Sequence, residues 1–98
     1  MIRGTTPTHI FDTDISLVEA EVIYVTYKQG KVILEKTKDD VRVTENQLQV
    51  ELTQEETLMF ATNREAEVQI RAKFADGTAV ASNVSQIIVA PIIKEGVI

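Results

Sequence analysis

The stretch Glu65-Ala66-Glu67-Val68-Gln69-Ile70-Arg71-Ala72-Lys73-Phe74 decides the fold. Ala66, Val68, Ile70, Ala72 and Phe74 alternate with charged or amide side chains. A period of two belongs to a strand with one face in a core and the other in water. Asp76-Gly77 follows after Ala75, and Thr78 to Val89 then resumes a β-branched run. Gly77 can take the positive φ that a tight reversal demands, so the two segments predict a hairpin.

Working outward, Val18 to Lys28 is rich in Val, Ile and Tyr, and Gln29-Gly30 separates it from Lys31 to Lys36, a second hairpin by the same reasoning. Asp39-Asp40 reads as a turn. Val41 to Val43 and Leu48 to Leu52 read as shorter strands joined through Glu45-Asn46, with Asn46 expected to tolerate the left-handed conformation. Thr8 to Phe11 adds an edge strand after Pro7, which lacks a backbone donor. Thr53 and Glu56 have capping-box spacing ahead of Leu58-Met59-Phe60, which predicts one short helical turn. The pattern predicts an all-β fold, an immunoglobulin-like β-sandwich of about seven antiparallel strands forming a single domain over residues 1–98.

The 98 residues are 44% hydrophobic, a composition that folds rather than stays disordered. A net charge of −5 works against attraction to phosphate backbones and anionic membrane surfaces, so neither nucleic acid nor membrane is expected as a partner. Cysteine is absent, which removes disulfides, thiolate nucleophiles and cysteine-ligated metals. No apolar run reaches the roughly 18 residues of a membrane span.

Catalytic chemistry finds little to work with. His9 is the one histidine and has no partner in its own segment, so it reads as structural. Asp12-Thr13-Asp14 spaces two carboxylates as a calcium loop does, but lacks the further ligands and the glycine such a loop needs. The adjacent carboxylates Asp39-Asp40 and Glu55-Glu56 read as solvated turns. Ser16, Ser82 and Ser85 have no nucleophile-elbow setting, and the four glycines are too scattered to cradle a phosphate. No enzyme activity, cofactor, metal or small-molecule substrate is expected.

Two features ask for more than a generic sandwich. In the strand from Val18 to Tyr27, Val18, Ala20, Val22 and Tyr24 share one face while Ile23, Val25 and Tyr27 share the other, so both faces are largely apolar. The face bearing Ile23, Val25 and Tyr27 is expected to meet a loop, the chain's own tail, or another protein. The C-terminal segment stays apolar beyond Pro91, with Ile92, Ile93, Val97 and Ile98. It either folds back over the end of the sandwich or adds to a neighbour. These seven residues are the interface candidates.

Four segments also carry a resemblance: Met1-Ile2-Arg3-Gly4-Thr5-Thr6-Pro7-Thr8-His9, Leu52-Thr53-Gln54-Glu55-Glu56-Thr57, Ala75-Asp76-Gly77-Thr78-Ala79-Val80-Ala81-Ser82-Asn83, and the ending Gly96-Val97-Ile98. Together they resemble a family of small proteins encoded in phages and prophages of Gram-positive bacteria. The middle and end are also similar to the immunoglobulin-like N-terminal domain of phage upper baseplate proteins. The resemblance implies a non-enzymatic virion or assembly protein, associated with tail, baseplate or shell. Its partners would be other phage structural proteins or further copies of itself, in the host cytoplasm during assembly or in the virion. It carries over no site residues. A carbohydrate- or ligand-binding adhesion module is the alternative expectation.

Overall fold

The computed structural model describes residues 1–98 and builds them into eight strands. They are β1 (Thr8–Asp12), β2 (Val22–Gln29), β3 (Val32–Thr37), β4 (Val41–Val43), β5 (Gln47–Glu51), β6 (Glu65–Lys73), β7 (Ala79–Ala81) and β8 (Ser85–Ile88). A 3-10 turn covers Lys38–Asp40, and α1 is the short helix Gln54–Thr57.

The alternating stretch from Glu65 becomes β6, and its register sets the larger sheet. One side of β6 pairs antiparallel with β2, placing Val25 opposite Ile70 and Tyr27 opposite Val68. Its other side takes β7 and β8 in succession, because the predicted final strand is interrupted at Ser82-Asn83-Val84. The Ile70 amide donates instead to Ser82 Oγ, at 3.0 Å. On the far side of β2, β3 is joined through Gly30-Lys31, where Gly30 has φ +59°. Gly77 closes the β6–β7 hairpin at φ +90°.

The second sheet has the order β1-β5-β4, antiparallel throughout. The chain changes sheet between β1 and β2, between β3 and β4, and between β5 and β6. That weave is the Greek-key connection of an immunoglobulin-like sandwich. Side chains alternate as the pleat demands: Ala66, Val68, Ile70 and Ala72 of β6 point inward, as do Leu48 and Val50 of β5. Leu17 and Ala20, from the loop between β1 and β2, join this core, as do Leu52, Phe60 and Val89.

Local signals were reliable where their partners lie close in sequence. Thr53 caps α1 by accepting from the Glu56 amide while the Glu56 carboxylate accepts from the Thr53 amide, both bonds of the box. Asp40 fixes the 3-10 turn by accepting from the Thr37 amide at 2.9 Å. Asn46 differs from expectation: its turn is closed by the Thr44 amide donating to the Gln47 carbonyl, without a left-handed residue. The left-handed non-glycine is Asn63, φ +59°, whose amide donates to the Val89 carbonyl.

Candidate functional site

Ile23, Val25 and Tyr27 do not form a surface. They are 1%, 0% and 0% exposed, at the centre of the core. The physical reason is the position of β2, which is flanked by β3 and β6 in its own sheet and turns this side to the facing sheet. The wet side of the strand carries Val22 and Tyr24, 37% and 40% exposed, among Thr26 and Lys28. The opposite sheet, rather than a partner, covers the face that the sequence left open.

The C-terminal candidates occupy the end of the sandwich where the N-terminus and α1 meet. Ile2 and Ala90 form a parallel bridge, the Arg3 amide donating to the Ala90 carbonyl at 3.0 Å and the Ala90 amide to the Met1 carbonyl at 2.7 Å. Beyond Pro91, Arg3 pairs with Glu95, and the Ile98 amide donates to Gln54 Oε1 at 2.8 Å. Ile92 lies over Gly4, so closely that a Cβ there would come within 2.8 Å of Ile92 Cδ1. Ile93, Val97 and Ile98 point away, 104%, 55% and 90% exposed. The tail is thus folded back on the sandwich end, with Ile92 as its anchor and the other three side chains presented to solvent.

Arg3 is the residue that organises this end. Its Nε donates to the Phe60 carbonyl and its Nη2 to the Leu58 carbonyl, each at 2.9 Å. These carbonyls follow α1, where a helix C-terminus lacks intrahelical donors, and a planar cation satisfies two acceptors at once. One arginine therefore ties the N-terminal segment, the helical turn and the tail together.

Between the sheets lies a polar cluster that sequence reasoning missed. His9 Nδ1 and the Tyr27 hydroxyl are 2.7 Å apart, and Tyr27 packs edge-on against Phe60. Burial, and then the N-terminal ammonium, lowers the His9 pKa. Burial, and then the negative charge of Glu56, raises that of the Tyr27 phenol. Lys36 stands in the inward alternation Val32, Leu34, Lys36 of β3 and donates to Glu56 at 2.7 Å. Burial pulls the Glu56 carboxyl upward, but Lys36 and Thr53 together hold it below the usual carboxylate range. The pair joins β3 to α1 across the sandwich, and the cluster is one of mutual satisfaction.

His9, Asp12 and Asp14 do not converge: no group of three or more carboxylates and imidazoles is placed to hold a metal ion. Asp12, Thr13 and Asp14 instead line a concavity of about 380 Å³ beside β7 and the Ser82-Asn83 break. No helix is long and apolar enough to cross a membrane. Compared with known proteins, the chain matches no protein family, no curated protein and no solved structure.

Proposed function

We propose that this domain is a non-enzymatic assembly module, acting through protein–protein contacts in the construction of a phage or prophage particle. The observation that carries the reading is the clasped tail: Arg3, Gly4 and Gln54 fix its course while Ile93, Val97 and Ile98 stay in water. Apolar side chains carried on a backbone held at Glu95 and Ile98 lose less conformational entropy on meeting a partner than those of a free tail, which favours an assembly contact. The phage assignment rests on the resemblance of the opening segment, the Thr53 turn and the Asp76-Gly77 hairpin.

The adhesion alternative draws less support. Sugar platforms use exposed aromatic rings, and of the five aromatic residues Tyr27 and Phe60 are buried, Phe11 and Phe74 half-buried, and only Tyr24 is exposed.

Light scattering on the eluting full chain, over a range of concentration, tests the reading. Association should grow with concentration and be lost in an Ile93→Ser/Ile98→Ser variant. A chain that stays monomeric, with and without the substitutions, overturns self-assembly. Gene neighbourhood tests the phage part: flanking capsid, tail or baseplate genes support it, and a metabolic operon overturns it.

A further inference from the structure

On one side of the sandwich each sheet ends in a strand with no neighbour on its outer side, and these two of the four sheet edges flank one seam. In the smaller sheet β1 pairs with β5 alone, and in the larger sheet β7 and β8 pair with β6 alone. Between them run two concavities, of about 380 and 320 Å³, which share Asp12, Ile70, Ser82 and Asn83 and so form one trough. Its floor is the inward side of β6: Val68, Ile70 and Ala72 line it while belonging to the core. One wall is β1 and the loop after it, and the other is the interrupted strand about Ser82.

This trough has the attributes of a missing strand. Each wall offers an edge whose outward backbone groups have no strand beside them, and an added strand gains affinity from such groups. The floor itself is nearly covered, so the apolar side chains open to alternate side chains of an occupant are Ile10, Ile15 and Val80 on the walls. A wall the length of β1, five residues, accepts a segment of roughly 17–20 Å. The charge on the walls is of one sign: Asp12 and Asp14 line the trough and no lysine or arginine does.

We infer that the seam between β1 and β7–β8 is a strand-addition site, whose occupant is an extended segment of a partner protein with β-branched side chains at alternate positions and a Lys or Arg facing Asp12 and Asp14. The inference rests on the reading of this domain as a protein-contact module and supplies a second contact, separate from the tail. Alternate apolar side chains set register on Ile10, Ile15 and Val80, and the basic residue selects among strands of similar hydrophobicity.

Amide chemical shifts of the full chain, titrated with the capped heptapeptide Thr-Val-Lys-Val-Thr-Val-Lys, test this. Saturable shifts should appear over residues 10–15 and 80–85. Replacing both lysines of the peptide by glutamate should weaken binding by roughly tenfold or more, and an Asp12→Asn/Asp14→Asn variant should lose most of that discrimination. No saturable shift at millimolar peptide, or equal binding of the lysine and glutamate peptides, overturns the proposal. Shifts over the same residues that grow with protein concentration alone would make a second copy the occupant and overturn the separate partner. The Ile93→Ser/Ile98→Ser variant should bind the peptide unchanged, so failure of the tail reading and failure of the trough are told apart.

Discussion

The Tyr27 hydroxyl and His9 Nδ1 stand 2.7 Å apart across the space between the two sheets, β2 carrying one and β1 the other. Two polar groups in that position each serve as the other's partner, so neither sheet buries an unsatisfied atom there. Tyr27→Phe keeps the ring that packs on Phe60 and removes only this bond. A loss of about 1 kcal/mol is expected, which for a chain of this size is a fall of roughly 4–8 °C in melting temperature. Calorimetry checks it, and an unchanged midpoint would deny the bond any part in holding the sheets together.

His9 also gives the fold a pH dependence of known sign. Its folded pKa lies below the unfolded value of 6.5, so the unfolded chain takes up a proton first. The stability that His9 contributes is present above pH 6.5 and is lost as pH falls through the folded pKa. Glu56, with a folded pKa below its unfolded 4.5, loses its contribution only as pH falls further. Urea midpoints should therefore drop between pH 7.5 and pH 5, and a His9→Gln variant should flatten that part of the curve.

Lys36→Met should cost about 1–2 kcal/mol at pH 7. The substitution leaves Glu56 partly buried with only its Thr53 contacts, and losing one partner of a buried pair exposes the other's desolvation. The penalty should shrink at pH 4, because without Lys36 burial raises the carboxyl and the variant takes up a proton more readily than the parent. Chemical denaturation of both chains at the two pH values measures the difference.

At the clasped end, Arg3→Ala removes the donors to the Leu58 and Phe60 carbonyls and the partner of Glu95. A loss of about 2–3 kcal/mol is expected. Gly4→Ala, at φ +72° and against Ile92, should cost about 1–2 kcal/mol and loosen the tail. Amide exchange at Ile98 reads the loosening directly.

Val68→Asp buries a carboxylate with no partner at a 2%-exposed position, and should leave no folded protein within a total stability of about 5–15 kcal/mol. Gln69→Asp, one residue along on the wet face, forfeits a bond to the Ser82 carbonyl and should fold. Circular dichroism of the pair tests the assignment of faces in β6.

Much of this fold was legible because its signals are local. The alternation from Glu65, the Asp76-Gly77 reversal and the Thr53–Glu56 cap each declare themselves within a few residues. The faces of β2 were harder to read. Both Val22 with Tyr24 and Ile23 with Val25 are apolar, so alternation alone could not say which pair faces the other sheet. Lys36 stands inside the sandwich for a reason 20 residues away, its bond to Glu56. The tail's course depends on Arg3, 92 residues from Glu95. Contacts at that separation leave no periodic trace in the chain.

The bridge between Ile2 and Ala90 has a kinetic consequence. The Met1 ammonium donates to the Ile88 carbonyl, a contact between groups 87 residues apart. Closing so long a loop carries a large entropic cost until the intervening strands have already shortened it. The two terminal segments should therefore zip together last, after both hairpins and the facing sheet are in place. By the same reasoning they should part first, as one cooperative unit, while β2 and β6 remain paired. Each brief opening of that clasp would free Ile92 along with the three residues beyond it that already face water.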